Sequence, residues 1–415
     1  MATVGAPGYR NSVLVVALLL AVGCASHSRP DQVLRKPVGA DLAGLVDSVP
    51  AQHLLADLLQ RRTPEAHLAI LAASLRSTDF VPDHDVRPRP DRARLRDLAR
   101  EVSLDFAALA FARELSADER SRAVQTAFER FLQDGAAGSE EALKKPGAFP
   151  YTVLFAPSWL YRSHPETGSD LARPRGLVDR LGLDGRLIET DESGSVEANA
   201  TVIAAAVRAA GRQGARLIVV SASKSGAEAA LALSRLLAPE DAAGVAAWVN
   251  VVGALGGTPI ADTFSRPPAS WFARAVCWLA GWRWEGVTSM ATGPSRKRLE
   301  GATMLDSIAV VNVVAVPVSG SVGHRVYGGY EFLRPHGPND GVVVLADTVW
   351  PGGANLVTLG PDHLYTPLWD DAHALALFRA VDFAVRLHGA RMAHGVATGA
   401  PEPRQRREAA GLDPP

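Results

Sequence analysis

The stretch that decides the fold reads LIVVSASKSGAEAALAL and spans residues 217–233. Its opening residues are apolar and β-branched, its middle is a run of small residues, and from Lys224 onward apolar positions recur at helical spacing. A strand, a small-residue turn and an immediate helix is the order in which an α/β sheet presents a nucleophile at the carboxyl end of a strand. The turn carries Ser221, Ser223 and Ser225. A serine held there needs small neighbours two residues to either side, because the strand and helix backbones pass close together. Ser223 meets this with Ser221 and Ser225, and Ser225 meets it with Ser223 and Ala227.

The surrounding chain keeps the same rhythm. Short apolar runs at 151–156, 186–189, 216–220, 245–252, 308–318 and 355–359 read as strands. Amphipathic stretches at 171–183, 196–212, 224–237 and 370–387 read as helices between and after them. Such alternation predicts a mostly parallel sheet with helices on both faces, and near-continuous apolar strands agree with burial on both sides. Upstream, residues 50–149 show helical patterning without a strand signal, ending in a Gly- and Lys-containing linker at 134–149. Thr63-Pro64-Glu65 resembles a helix start, and Ser116-Ala117-Asp118-Glu119 has capping-box spacing. Asp83-His84-Asp85, beside Pro82, reads as a loop rather than a metal site, since three adjacent side chains do not converge on one ion. The polar, Pro-containing residues 391–415 read as a disordered tail.

The chain has 415 residues with 43 basic and 44 acidic side chains, so its formal net charge is −1. That balance gives no electrostatic footprint for nucleic acid. At the amino end, Arg10 precedes the apolar run VLVVALLL (13–20), which is too short to span a bilayer and reads as an export signal over residues 1–23. Residues 24–49 then suit a tether. The run ends in LAVGC (20–24), which resembles the lipobox of bacterial lipoproteins. The resemblance implies cleavage before Cys24 and a lipid on that residue, hence a membrane-anchored protein of the cell envelope. Ala25 stands where an inner-membrane retention aspartate would. Cys277 is the only other cysteine, so no disulfide framework is expected.

The 217–233 stretch is similar to the elbow V-x-x-x-G-H-S-K-G-G of α/β-hydrolases. In that register Ser223 is the nucleophile, Ala222 replaces His, and Ser225-Gly226 replaces Gly-Gly. A serine hydroxyl needs a general base, and the base an orienting carboxylate. In this fold both follow the serine, acid first. Asn339-Asp340-Gly341-Val342-Val343 resembles the N-D-G-[LV]-V segment of bacterial triacylglycerol lipases, where the Asp is the triad acid. LGPDHLYTP (359–367) then supplies His363, 23 residues after Asp340, a step similar to the lipase spacing. Asp347 is the next acid candidate, and His324 and His336 are weaker bases because both precede Asp340. For the oxyanion, the resemblance implies the backbone N–H of Lys224 and a second donor after the first core strand. There Pro157 has no N–H, which leaves Ser158 or Trp159. VVGALGGTPIADTF (251–264) is a further partial match to a lipase loop.

Residues 265–305 interrupt the β/α rhythm, as a cap or lid insertion does in α/β-hydrolases. Their segment SWFARAVCWLAGWRW (270–284) holds four of the chain's eight tryptophans. Trp271, Ala275, Trp278 and Trp282 fall on one helical face, which either packs in the core or lines an acyl pocket or lipid surface. Together these readings predict an α/β-hydrolase domain over 150–390 behind an N-terminal helical region. They predict a serine ester hydrolase acting through Ser223, Asp340 and His363 on a lipid-like acyl ester, with no cofactor or metal. The alternatives are a non-catalytic binding lipoprotein on the same scaffold, and an acyltransferase or thioesterase using the same triad.

Overall fold

A computed structural model describes residues 39–60, 91–365 and 370–397. The readings at Cys24, at Thr63-Pro64-Glu65, at Asp83-His84-Asp85 and over 398–415 lie outside the described residues.

Six strands form one sheet: β1 Thr152–Ala156, β2 Asp184–Leu187, β3 Leu217–Ala222, β4 Val245–Val251, β5 Ala309–Val316 and β6 Ala354–Leu359. Their order is β2-β1-β3-β4-β5-β6, and every neighbouring pair is parallel. Alternate residues of a strand serve opposite faces. Phe155 and Ile218 pack on one side with the helices Ala172–Arg180 and Asp371–Ala397. Leu154 and Val219 pack on the other with Val196–Gly211 and Lys224–Leu231. This sheet, its right order and its helices on both faces constitute an α/β-hydrolase fold.

A ladder of asparagines, buried in β4 and β5 and half-buried in β6, fixes the register of the last three strands. Asn250, Asn312 and Asn355 are paired neighbours in β4, β5 and β6. Asn250 Nδ2 donates to Asn312 Oδ1 and Asn312 Nδ2 to Asn355 Oδ1, each at 3.0 Å. A slip of one residue would leave buried amides unsatisfied, which costs more than a missing apolar contact. The rungs are invisible to hydrophobic patterning, which reads them as interruptions.

Strand β2 begins two residues earlier than the apolar run suggested, at Asp184 rather than Arg186. It is an edge strand with alternately exposed residues, and Asp184 is drawn in by the Thr152 hydroxyl at 2.6 Å. The expected linker at 134–149 contains the helix Gly135–Lys144, with Leu143 and Phe149 buried. Gly135 has φ +69° and lets the chain restart a helix directly after the previous one. The tether's last residues are also ordered, with a 3₁₀ turn at Gly39–Gly44 and Leu42 buried. The closing helix continues to Ala397, through the first residues of the expected tail. The cap before Glu119 is Asp118, whose carboxylate accepts from Ser121 N at 2.8 Å. Ser116 instead ends the preceding helix, its hydroxyl donating to Ala112 O at 2.8 Å.

The helices Val49–Gln60, Arg92–Glu101, Leu104–Leu115 and Glu119–Gln133 precede the sheet, with no strand among the described residues of this region. They brace one end of it. Leu55, Leu95, Leu109 and Phe111 share a core with Val314, Val316, Val357 and Leu359 of β5 and β6. Helix Glu119–Gln133 runs beside the free edge of β6 and satisfies its outward amides. Asn355 N donates to Ser121 Oγ at 2.9 Å and Val357 N to Gln125 Oε1 at 2.8 Å.

Candidate active site

Ser223 sits between the end of β3 and the start of the helix Lys224–Leu231, with φ +52° and ψ −121°. A non-glycine residue at positive φ is strained, and three backbone hydrogen bonds hold this one. Ser223 N donates to Val251 O at 2.9 Å, and Ser223 O accepts from Gly226 N at 3.0 Å and Ala254 N at 2.9 Å. Gly226 is required here, since a Cβ would lie 2.7 Å from both Asn250 Oδ1 and Gly253 Cα.

The flanking serines are both buried and both bonded. Ser221 Oγ accepts the Trp248 indole N–H at 2.8 Å. Ser225 Oγ accepts from Ala222 N at 2.9 Å and lies 2.7 Å from Ala156 O and 2.9 Å from Ala222 O, its two possible acceptors. Hydroxyls at these positions therefore tie the elbow to β1 and β4, which glycines could not do.

Asp340 and His363 are both buried and converge on Ser223. His363 Nε2 lies 2.8 Å from Ser223 Oγ, and Nδ1 lies 2.7 Å from Asp340 Oδ2. With Asp340 ionised, Nδ1 carries the ring proton and Nε2 accepts the serine hydroxyl. The other carboxylate oxygen of Asp340 accepts from Val342 N at 3.0 Å and Val343 N at 2.8 Å. His363 N also donates to Asp340 O at 2.9 Å, so backbone and side chain fix the pair together. Asn339 shapes the turn by accepting from Gly341 N at 3.0 Å. Asp347 is buried elsewhere, paired with Arg92 and Arg296. His324 and His336 are exposed.

The loop after β1 distinguishes the two expected oxyanion donors. Ser158 N already donates to Ser169 O at 2.8 Å. The N–H of Trp159 has no partner among the described residues. Lys224 is the first residue of its helix, so its N–H has no intrahelical acceptor. Its side chain, which sequence reasoning set aside, is buried and paired with Glu228 one turn on, and Asn199 Nδ2 adds a bond to Glu228 Oε1 at 2.9 Å. Burial pushes the Glu228 carboxyl above its ordinary range, and the charge of Lys224 partly offsets that.

Three helices form the insertion at 265–305: Ala269–Ala280, Trp284–Thr288 and Thr292–Leu299. Trp271 and Trp278 are 69% and 80% exposed, and Phe272 and Leu279 beside them are 52% and 69% exposed. The core-packing reading therefore fails for this face, while Ala273, Val276 and Cys277 bury the opposite one. Trp282 is not on the exposed stripe. The helix stops at Ala280, Gly281 turns the chain at φ +73°, and Trp282 folds inward against Trp159 and His164. The glycine cap was the legible signal for that break. The 251–264 loop joins the site to this insertion: Thr258 Oγ1 donates to Val342 O at 2.6 Å, and Asp262 accepts from Thr292 N at 2.8 Å. No described helix is long and apolar enough to cross a membrane.

No protein-family model and no curated protein matches the chain. Among solved structures it is similar to a metagenomic carboxyl esterase, with 21% identity, 57% of this chain and 76% of that one covered, and a TM-score of 0.47. It is also similar to the Bacillus licheniformis lipase BlEst2 in its mature form, with 22% identity, 53% and 87% coverage, and a TM-score of 0.43. The propeptide form of that lipase gives 21% identity, 52% and 47% coverage, and a TM-score of 0.42.

Proposed function

We propose that this protein is a serine hydrolase of carboxylic esters. The observation that carries the reading is the unbroken chain from Ser223 Oγ through the His363 ring to Asp340, with the serine on a strained elbow. His363 Nε2 takes the Ser223 proton as Oγ attacks the acyl carbonyl. The tetrahedral oxyanion is held by the N–H groups of Lys224 and Trp159. His363 then gives its proton to the leaving alcohol, an acyl-serine remains, and a water activated by His363 releases the acid. Asp340 orients the ring and stabilises its charged form. The exposed Trp271 and Trp278 favour a lipid-like acyl ester as substrate. The lipobox-like ending at Cys24 supports attachment to a membrane of the cell envelope.

A fluorophosphonate probe tests the enzymatic reading. The folded protein should be labelled and should hydrolyse p-nitrophenyl butyrate, and Ser223→Ala should abolish both. A folded wild-type chain that does neither is a binding scaffold instead. Adding a short alcohol during turnover distinguishes hydrolysis from acyl transfer, since an acyltransferase diverts most product to the new ester. Radiolabelled palmitate should enter the wild type and not Cys24→Ala.

A further inference from the structure

One acidic residue outside the triad holds the loop that carries an oxyanion donor. Glu192 lies between β2 and the helix Val196–Gly211 and is bonded to the loop after β1. Its main-chain carbonyl accepts from Leu160 N at 2.9 Å. One carboxylate oxygen accepts from Arg162 N at 2.9 Å and from Ser163 N at 2.8 Å. The other accepts from Ser163 Oγ at 2.6 Å. A single residue thus takes three amide N–H groups of a four-residue span, as an acidic cap does at a helix start. The loop needs the restraint, because Leu160 has φ +56°, a conformation unfavourable for a non-glycine residue.

The position of these bonds gives them a consequence for catalysis. Trp159 N has no partner among the described residues, and the amides on both sides of it are engaged: Ser158 N with Ser169 O, and Leu160 N with Glu192 O. The direction of the Trp159 N–H is therefore set by its neighbours. The next residue back along the clamp, Asp191, exchanges two bonds with the Asn199 side chain, at 3.1 and 2.9 Å. Asn199 in turn binds Glu228, the partner of Lys224. The carriers of both expected oxyanion donors are thereby linked to residues 191 and 192. The amides of Arg162 and Ser163 are at the surface, where water can replace a lost carboxylate. Removing that carboxylate leaves the core and the main-chain bond from Leu160 N to Glu192 O in place, and loosens the loop at Arg162 and Ser163.

On the reading of the site given above, we infer that Glu192 is a positioning residue for the oxyanion donors. It acts through the loop 158–163 rather than by touching substrate. A transition-state donor contributes to kcat more than to KM, and losing one costs about 100- to 1,000-fold. Misplacing one by loosening its loop costs less. Glu192→Ala should lower kcat on p-nitrophenyl butyrate by about 10- to 100-fold with KM changed by less than about threefold. The Ki of phenylboronic acid, which forms a tetrahedral adduct with a serine Oγ, should rise by the same factor. Glu192→Gln keeps one carbonyl acceptor and should fall between the two, and it carries the test alone if the alanine variant does not fold. A kcat within about twofold of wild type in the folded variant, or a loss of kcat with an unchanged boronate Ki, overturns the inference while leaving the enzyme reading standing. A wild-type chain that neither hydrolyses the ester nor reacts with fluorophosphonate overturns both.

Discussion

Ser225 stands where a hydrolase elbow more usually has glycine, and its hydroxyl bonds both the Ala222 amide and the carbonyl of Ala156 in β1. Ser225→Gly leaves a buried carbonyl and amide without that partner and should cost about 1–3 kcal/mol in urea denaturation. The direction matters, because restoring the commoner residue should destabilise. Gly226→Ala should cost more still, as its Cβ has no room against Asn250 and Gly253. Asp340→Asn keeps an oxygen for Val342 N and Val343 N but turns an amide toward His363 Nδ1. It should lower kcat by about 10⁴-fold with the melting temperature little changed, read by steady-state kinetics beside a thermal melt. At this scale the sequence made Ser223, Asp340 and His363 legible, because each lies in a short local motif. Glu192 and Glu228 were not legible. Glu192 acts on a loop 30 residues earlier in the chain, and Glu228, although one turn from Lys224, reaches residue 191 only through Asn199, 29 residues earlier, which no local pattern connects.

The insertion helix Ala269–Ala280 is amphipathic in an inverted sense, with its largest aromatics turned outward. Leaving such side chains exposed to water is unfavourable, and exposed apolar patches of this kind mark contact surfaces. A double change of Trp271→Ser and Trp278→Ser should leave the melting temperature within a few degrees of wild type, since neither side chain contributes to the core. The same variant should bind phosphatidylcholine vesicles more weakly in a sedimentation assay, as each indole is a preferred membrane-interface group. Trp282→Ser should behave oppositely, losing about 3–5 kcal/mol of stability through its contacts with Trp159 and His164. The helical period was legible here, but its outward orientation was not. A period identifies an apolar face without saying whether anything covers it.

Across the whole molecule, the N-terminal helices and the loop after β5 meet in a further buried polar joint at Asp105. Its carboxylate accepts from Asp47 N, Ser319 N and Ser319 Oγ, each at 2.8 Å. Burial first, and then the charge of Asp47, push the Asp105 carboxyl up to about 6 from an ordinary 3.8. The folded chain therefore holds this proton more tightly than the unfolded one. The associated stability is fully present below about pH 4 and is lost as pH rises through about 6, amounting to at most about 3 kcal/mol. Urea midpoints measured from pH 4 to pH 7.5 should fall more steeply for wild type than for Asp105→Asn, whose amide does not titrate. The α/β architecture was legible from strand and helix alternation, and the shared core was not. Leu95, Leu109 and Phe111 show as helix faces in sequence, while their partners Val316 and Leu359 lie more than two hundred residues on.

The same separation governs how the edge of β6 is closed. Ser121 and Gln125 are synthesised early, and the amides they accept from belong to Asn355 and Val357, 234 and 232 residues later. Contacts of such sequence separation form late, after the loops between them have closed. Chain synthesis therefore exposes the helix Glu119–Gln133 long before its strand exists, and any nascent chain shorter than residue 354 must carry that apolar face without its partner. The brace acts as a terminal latch in the order of folding: its engagement requires that the sheet has been completed to its last strand.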